Sequence, residues 1–444
     1  MKRILPALLC AALTLTLASC AQSPPPRDVQ SPPPQDIQTP APRDVQPAEI
    51  QAIGIDETGK AMQRRSLNPV AAETVTSLRE FSAELAALTL TKKENQCVSP
   101  ISLYLALAMA AQGARDSTRA ELLNAMRVPD TLAGRLPEQA GNLMRRLYTD
   151  NDAGVLKVAN SAWIQNGYDL EDAYLDSLSG EYYAALYNVD FNDADTGKQI
   201  GRWIADNTGG LLTPEPEYDK ATVLTLINTI YLKDAWRNIF RMTQLDDFTR
   251  ADGSVVSCTF MLRGATNGHE LRRFGEGYAA AAIPTQNGVS MALILPDEGL
   301  SPWDLLSKPE IVAEWLDLSG YRGGAVLYTV PQFSFGAKPD VLNAVQNMGV
   351  KAAFDARTAD LTGIYNDPGQ PLFIGDIRQE THIGIDENGV EAAAYTEIIA
   401  FAGAMPMEPD DELDLKLDRP FAFALISDTG VPLFVGVVED PTAD

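Results

Sequence analysis

Apolar positions change their spacing along the chain, from a helical period in the first part to strand-like runs later. Between Leu67 and Leu90 they recur every three or four residues, which predicts an amphipathic helix. From Cys97 onward an almost wholly apolar segment predicts a buried helix, with Ser99 as its N-cap and Pro100 in its first turn. Further apolar runs predict strands over Val223–Leu232, Ser290–Pro296, Ala325–Phe335 and, as a hairpin, Phe421–Val438. Helices that precede strands indicate an α+β fold.

A segment near the C-terminus alternates like a strand and yet is bounded by loops. Every second residue from Val390 to Ala400 is small or apolar, and the intervening positions hold the charges and the aromatic rings. Because successive side chains of a strand face opposite ways, one face of this segment is suited to burial against close neighbours. An Asn-Gly turn precedes the segment, and Met405–Pro409 follows it as a predicted loop. From these residues alone, an ordinary edge strand is the simpler interpretation.

The first twenty residues have the pattern of an export signal. Lys2 and Arg3 form a basic start, Ile4–Leu17 is apolar, and small residues lead to Cys20. The apolar run is too short to span a bilayer stably, so we expect residues 1–19 to be a removable leader outside the fold. The stretch Leu-Ala-Ser-Cys resembles a bacterial lipobox, in which Cys20 receives lipid and becomes the mature N-terminus. The alternative is an ordinary signal peptide with an incidental cysteine.

Residues 20–66 are predicted to be a tether. Three eight-residue repeats, SPPPRDVQ, SPPPQDIQ and TPAPRDVQ, favour an extended polyproline II spacer because proline fixes φ and removes backbone donors. The following stretch Gly54–Ala61 approximates a phosphate-binding loop. It lacks the hydroxyl that would bind magnesium and follows no buried strand, so we interpret it as linker.

Composition limits the possible partners and cofactors. The chain has 444 residues, 45% of them hydrophobic, and a formal net charge of -25, which argues against nucleic acid as a partner. After the leader, two cysteines besides Cys20 are left, Cys97 and Cys258, with no CxxC pair and no His/Cys cluster. We therefore expect no metal or redox cofactor. Two buried free thiols are the simpler interpretation, and a disulfide between them stays open. Length alone would suggest two or three domains.

Five ordered sequence blocks together resemble the serpin family. The blocks are Cys97–Glu121, Asn228–Phe240, Val330–Ile364, Asp386–Ala394 and Asp418–Pro441. They extend over nearly all of the chain after the tether, which is more specific than any single motif. The resemblance overrides the length argument and implies one domain over 67–444, with three β-sheets, about nine helices and an exposed reactive loop at about 387–412. It resembles a bacterial serpin of the inhibitory type, and we expect a monomer.

The resemblance gives the alternating segment a function. In inhibitory serpins a protease cuts the exposed loop and forms an acyl-enzyme, and the cut loop then inserts as a new strand that distorts the trapped protease. Residues that slide into a sheet must be small on the buried face and free of unpaired charge. The implied hinge is Glu387, Gly389, Val390, Glu391, Ala392, Ala393 and Ala394, with Gly389 supplying backbone freedom.

The resemblance also places the reactive bond and suggests the target. Counting along the loop from the hinge glutamate implies cleavage at Gly403–Ala404, with Ala402–Gly403 and Ala404–Met405 as rivals. No basic residue lies between Arg378 and Lys416, which disfavours trypsin-like proteases. Small residues favour elastase-like or subtilisin-like serine proteases, and Phe401 and Met405 leave chymotrypsin-like ones as an alternative.

A structural switch region is implied by Ser99, Ser102, Asn228, Trp236 and Gln379. Asn228 interrupts an apolar strand and therefore needs hydrogen-bond partners. Where the family often has histidine, this chain has Gln379, which we expect to hydrogen-bond toward Asn228 and the two serines. His382 and His269 are expected to be ordinary packed or surface residues.

Two other functional interpretations compete with protease inhibition. The first is a non-inhibitory serpin that acts as a binding protein or a plain protease substrate; the hinge, which contains neither proline nor a basic residue, favours inhibition. The second is an enzyme, which the absence of GxSxG and HExxH motifs disfavours, because Gly288–Ala292 only approximates a nucleophile elbow and the chain has two histidines. The expected location is the bacterial cell envelope, lipid-anchored and facing outside.

Overall fold

The structure is a computed structural model that describes residues 9–19, 67–264, 270–367, 369–390 and 412–443. Within these ranges the α+β class is confirmed. The ten α-helices are α1 (Ala72–Thr89), α2 (Pro100–Gly113), α3 (Asp116–Ala125), α4 (Asp130–Ala133), α5 (Leu136–Leu147), α6 (Asp172–Gly180), α7 (Asp195–Asn207), α8 (Pro302–Leu306), α9 (Pro309–Leu316) and α10 (Val341–Asn347). Two 3₁₀ helices cover Leu318–Gly320 and Ala352–Phe354. None of the described helices is long and apolar enough to cross a membrane.

The first sheet has eight strands. They are β1 (Leu9–Ser19), β3 (Thr149–Asn151), β4 (Gly154–Gln165), β5 (Ala184–Val189), β6 (Thr222–Ala235), β13 (Phe333–Ala337), β14 (Leu372–Ile385) and β15 (Gly389–Val390). Strands β6 and β14 do not pair with each other along their length, because β1 and the short β15 lie between them. Strand β13 continues the sheet beyond β14, and β4 continues it beyond β6.

The second sheet has ten strands. They are β2 (Gln96–Val98), β7 (Met242–Thr249), β8 (Val255–Arg263), β9 (Glu270–Gly275), β10 (Tyr278–Pro284), β11 (Ser290–Pro296), β12 (Arg322–Pro331), β16 (Glu412–Lys416), β17 (Phe421–Ile426) and β18 (Pro432–Val438). Strand β12 pairs with β9 at its start and with β8 and β16 further along. The predicted second and third sheets are therefore joined through β12, and the described residues form two hydrogen-bonded sheets.

The predicted elements agree with the structure except at their boundaries. The first helix begins at Ala72 rather than Leu67, because Pro69 disfavours helical backbone in the residue before it. The predicted run Ala325–Phe335 is two strands, β12 and β13, that belong to different sheets. Pro331 ends β12, and since proline donates no backbone hydrogen bond it suits the point where the chain changes sheets.

Helix α2 lies at the centre of the molecule, and every one of its residues except Gln112 is buried. Ser99 occupies the predicted N-cap position, but its side chain does not make the capping hydrogen bond to the first turn of the helix. The Ser99 hydroxyl donates instead to the carbonyl of Leu433 on β18, at 2.8 Å, and its oxygen lies 3.1 Å from the Ser102 hydroxyl. Tertiary packing thus attaches the start of α2 to the second sheet, which a local capping rule does not anticipate.

The leader differs most from its prediction. We expected residues 1–19 to lie outside the fold, whereas Leu9–Ser19 forms β1 inside the first sheet. Leucine and threonine alternate from Leu13 to Thr16, and this period of two suits a strand with one buried face. Leu13 and Leu15 are completely buried, and the two threonines between and after them are half-buried.

Two apolar cores lie on the two faces of the first sheet. The larger fills the space between the sheets and includes α1, α2, Leu13 and Leu15. The smaller lies beneath α7, where Ile200 and Ile204 pack with Ile227 of β6. The first sheet is therefore covered on both faces around β6, which explains why β6 reads as a continuous apolar run.

The two cysteines do not pair. Cys97 and Cys258 are both buried and free, which confirms the simpler interpretation. Burial raises the pKa of the Cys97 thiol to about 12 and that of the Cys258 thiol to about 11. Both therefore stay protonated at neutral pH and behave as small apolar side chains.

Candidate functional site: a cleft in the first sheet

The candidate site is the central cleft, defined here as the space between β6 and β14 in the first sheet. Strand β15 fills one end of it, where Val390 lies opposite Ile385 on β14 and Asp234 on β6. Strand β1 fills the rest and runs antiparallel to both neighbours. Two segments far apart in the chain, β15 and β1, therefore share the space between the same two strands.

Trp236 holds the turn that leads into β15. Its indole Nε1 donates to the carbonyl of Asp386 at 2.9 Å, and its backbone N–H donates to the carbonyl of Asn388 at 2.9 Å. The backbone N–H of Phe240 donates to the Glu387 carbonyl, also at 2.9 Å. These bonds fix the entrance of the hinge from the side of β6. The structure thus places Trp236, which the resemblance assigned to the switch region, beside the hinge.

The first hinge residues are tightly seated. The Glu387 carboxylate accepts a hydrogen bond from the Gln332 side chain at 2.7 Å. A Cβ atom on Gly389 would lie 2.3 Å from the carbonyl oxygen of Asp234, so a side chain cannot fit there. Glycine is therefore required here by the close approach of β6, in addition to the backbone freedom predicted from the sequence. Val390 is completely buried, as the alternation predicted for its face.

The rest of the predicted loop site lies outside the described residues. This applies to the hinge residues Glu391, Ala392, Ala393 and Ala394, to the reactive bond Gly403–Ala404 and to its rivals at Ala402 and Met405. Beyond these residues, β16 begins at Glu412 and runs parallel to β12 at the edge of the second sheet. Residues 391–411 therefore connect the first sheet to the second.

Gln379 bonds to one of its three predicted partners, Ser99, and to neither Ser102 nor Asn228. Its side-chain oxygen accepts from the backbone N–H of Ser99 at 2.8 Å, and its Nε2 donates to the Ser99 carbonyl at 3.0 Å. The predicted approach to Asn228 was wrong, because Leu13 lies opposite both Gln379 and Asn228 in the sheet. The strand in the cleft therefore keeps the two amides apart.

Asn228 is only partly satisfied. Its Nδ2 donates to the Asn160 side chain of β4 at 2.7 Å, and Asn160 in turn donates to the carbonyl of Tyr182 at 2.7 Å. The Asn228 Oδ1 atom is buried without a hydrogen-bond partner. The same holds for the hydroxyls of three β6 threonines, Thr222, Thr225 and Thr229. A row of unpaired buried polar groups raises the free energy of the present arrangement of β6.

Asp234 is a site residue that sequence reasoning missed. It is completely buried at the hinge end of β6, where its carboxylate accepts from the backbone and the side chain of Asn287 at 3.1 and 3.0 Å. Burial raises its pKa to about 6, and hydrogen bonds from Thr285 and Asn287 oppose part of that shift. The available signal was an acidic residue two positions before Trp236, at the end of an apolar strand.

Neither histidine lies in the described part of the cleft itself. His382 is half-buried and its Nε2 lies 3.3 Å from the Ser334 hydroxyl, and His269 lies outside the described residues. In the described part of the chain, no three His, Cys, Asp or Glu side chains group in a way that could hold a metal ion.

Comparison with known proteins identifies the class. The sequence profile of the family described as Serpin (serine protease inhibitor) matches residues 76–441. The chain belongs to the serpin family.

Relatives from different kingdoms agree with this assignment. An uncharacterised serpin-like protein of Thermococcus kodakarensis is 28% identical over 378 residues, which cover 83% of this chain and 85% of that protein. Human neuroserpin is 27% identical over 365 residues, covering 78% of this chain and 86% of neuroserpin. The Arabidopsis serpin AtSerpin1 in its native stressed conformation aligns with a TM-score of 0.71 at 26% identity, covering 84% of this chain and all of that chain.

Membership indicates what proteins of this family generally do. Serpins are generally inhibitors or binding proteins rather than enzymes, and proteases are their partners in general. The fold is that of the protease-inhibitor family.

Proposed function

We propose that this chain is an irreversible suicide-substrate inhibitor of serine proteases. A target protease would cut the reactive loop and form an acyl-enzyme, and the loop would then enter the central cleft as a new strand. The observation that carries this proposal is the position of β15. Val390 already pairs with both β14 and β6, and Gly389 pairs with β6, at one end of the cleft. Insertion would extend a strand that has begun.

Extension of this register supports the proposal. Thr396, six residues after Val390, would fall opposite Gln379 and Asn228, which lie six residues before Ile385 and Asp234. The face that carries buried Val390 also carries Ala392, Ala394, Thr396, Ile398 and Ala400. None of these is charged, and each of the larger ones would contribute about 1–2 kcal/mol on burial. The new ladder hydrogen bonds would add to that gain.

Loop composition supports the choice of target. The proposed reactive bond is Gly403–Ala404, and the stretch between Arg378 and Lys416 lacks basic residues. A trypsin-like protease has a buried carboxylate in its specificity pocket, and no basic side chain of this loop would pair with it. A shallow pocket, in contrast, accepts small residues. Elastase-like or subtilisin-like proteases therefore fit the loop best. Mass spectrometry of the cut loop would identify the bond.

We also propose that the inhibitor acts at the bacterial cell surface. Acylation of Cys20 would anchor the chain, and the proline-rich repeats up to Gln46 would hold the domain away from the membrane. Metabolic labelling with a palmitate analogue would reveal the lipid on the wild-type chain and not on Cys20→Ser.

Inhibition can be tested on a denaturing gel. The exported chain, incubated with an elastase-like protease, should give a covalent complex that resists denaturant. Ala392→Glu or Ala394→Glu would place a charge on the inserting face, so we expect at least a tenfold loss of complex in favour of cleaved chain. Ala393→Glu, on the other face, is the matched control and should keep the complex.

Two results would count against inhibition. Only cleaved chain from the unmutated protein would support the non-inhibitory alternative, a binding protein or a substrate. Undiminished complex formation by Ala394→Glu would contradict strand insertion even if inhibition occurred.

A further inference from the structure

We propose that the leader segment Leu9–Ser19 binds the central cleft of the unprocessed chain and excludes the reactive loop, so that removal of residues 1–19 releases the inhibitor. Occupancy of the cleft by the leader is independent of the proposed function. Only its consequence for inhibition rests on that function. The occupant is a segment of this same chain, and the structure gives its register on both sides.

The leader lies where the loop would insert, in the same direction and register. Extended from Val390, the loop would place Thr396 opposite Gln379 and Asn228, which are the two residues opposite Leu13. Ile398 would fall opposite Ile377 and Leu226, and these are the partners of Leu15. Two strands cannot hold the same backbone partners, so occupation by one excludes the other.

The two segments also agree in which side chains face the core. Leu13 and Leu15 are completely buried, and their counterparts Thr396 and Ile398 belong to the uncharged face of the loop. The half-buried Thr14 has Glu397 as its counterpart, on the face that carries the charges. The leader is therefore a structural analogue of the loop, with leucine in place of threonine at the first of these positions. It buries more apolar surface there than the loop would.

Backbone pairing makes the leader a complete occupant. It pairs with β6 from Leu9 to Ala18 and with β14 from Cys10 to Ser19, with one irregularity on each side. In a vacant cleft, the N–H and C=O groups of β6 and β14 that face it would lack hydrogen-bond partners. The leader provides those partners along almost the whole length of the cleft. If the loop were cut while the leader remained bound, β15 could not lengthen, because the leader would occupy its partners on β6 and β14.

The tether permits this arrangement and its release. Residues 20–66 connect Ser19 to Leu67, and a segment of that length would reach roughly 140 Å if fully extended, well over the size of one domain. The leader can therefore reach the cleft from the start of the folded region without strain. Cleavage before Cys20 would free β1 from the rest of the chain, and its binding would then no longer be intramolecular.

A cysteine cross-link tests occupancy directly. Thr14 lies opposite Arg378, and its hydroxyl bonds to the Arg378 carbonyl at 3.4 Å. The full chain, translated in a membrane-free extract so that the leader is retained, should form a disulfide in the variant Thr14→Cys/Arg378→Cys on mild oxidation. The matched control is Thr14→Cys/Lys157→Cys, because Lys157 is on β4, beyond β6, and lies two strand spacings away at the level of Tyr231. A cross-link in the first pair alone is expected, and peptide mapping would assign it.

Thermal unfolding tests the consequence. After the loop is cut, the unmutated full chain should gain less than about 3 °C in Tm, because the cleft is full. The double variant Leu13→Asp/Leu15→Asp would place two charges on the buried face and expel the leader. The Tm of this variant should then rise by roughly 10 °C or more when its loop is cut. Thr14→Asp/Thr16→Asp changes the other face and should behave as the unmutated chain does.

The outcomes separate this proposal from the proposed function. No cross-link at Arg378, or an equally large Tm gain in the unmutated full chain, would overturn the leader proposal. A cross-link together with the absence of any covalent protease complex from the exported chain would uphold occupancy and reject inhibition.

Discussion

The strands that border the central cleft differ from the β17–β18 hairpin in how completely their side chains are satisfied. All residues of the hairpin strands are buried and all are apolar or glycine. Phe423 of β17 packs against Phe333 with ring centroids 5.5 Å apart. In contrast, β6 carries Asn228 and three threonines with buried polar atoms that lack partners.

The difference separates a region held by apolar side-chain packing from one held mainly by backbone hydrogen bonds. Close packing of rings in the hairpin would be lost if either strand moved, so that region is fixed by apolar contacts. The cleft strands are held by backbone hydrogen bonds that any strand of suitable register can make. Unpaired side chains on β6 reduce the cost of changing the occupant, since little side-chain bonding is lost.

The largest effect is expected in the hairpin. Phe423→Ala should lower the free energy of unfolding by about 3–5 kcal/mol, because it removes a buried ring and leaves a cavity that its neighbours cannot fill. Urea denaturation measures the change. Phe274→Ala is the control, since that ring is 64% exposed, and it should change stability by less than about 0.5 kcal/mol. Similar costs for both variants would contradict the comparison.

An intermediate effect with a pH signature is expected at Asp234, on the cleft side. Its pKa is raised by burial from 3.8 to about 6 in the folded chain, so the native state holds a proton that the unfolded state has lost between these values. The unmutated protein should therefore lose stability as pH rises from about 4 to about 6. The total loss is about 2–3 kcal/mol for a shift of this size.

Asp234→Asn should lack this pH dependence and should gain stability relative to the unmutated chain as pH rises through 6. Any loss of one Asn287 hydrogen bond is independent of pH, so the slope is the decisive quantity. Asp355→Asn serves as the control, because the Arg357 side chain and backbone hold the pKa of Asp355 at about 2. That variant should show no change of slope between pH 4 and 6, and a flat difference for Asp234→Asn would contradict the assignment.

The smallest effect is expected when the same substitution, threonine to valine, is made on each of the two strands that border the cleft. The Thr229 hydroxyl on β6 is buried without a partner, whereas the Thr381 hydroxyl on β14 donates to the Cys97 carbonyl at 3.2 Å. Thr229→Val should raise the free energy of unfolding by about 1 kcal/mol, because it removes an unpaired polar group. Thr381→Val should lower it by about 1 kcal/mol. Chemical denaturation resolves this difference in sign, and equal effects would show that β6 is not under-satisfied.

Much of the fold could be predicted because its elements are locally encoded. The apolar run Ser290–Pro296 forms β11 with the predicted bounds, and the paired runs near the C-terminus form β17 and β18. The helix after Pro100 is apolar all round and is buried as predicted. Ordered family blocks then supplied the topology that periodicity alone does not give.

The parts of the site that were missed depend on residues far apart in the chain. Asp234 looks like an exposed acid at the end of a strand, and only the packing of Asn287 and Val390 against it buries it. Gln379 was expected to reach Asn228, and only the third strand between them prevents it. The side chain of Ser99 fits a local cap, yet it bonds to Leu433, far along the chain.

The sequence by itself determined the serpin class, the positions of most helices and strands, and the small uncharged face of the hinge. These follow from local periodicity and from ordered motifs, which need no long-range information. The tertiary structure alone decided which strand occupies the gap between β6 and β14, because a strand's hydrogen-bonding partners are set by register across the sheet. Segments 9–19 and 390–400 both carry the required alternation, and only the structure shows that Leu9–Ser19 and, at one end, Val390 lie between these two neighbours.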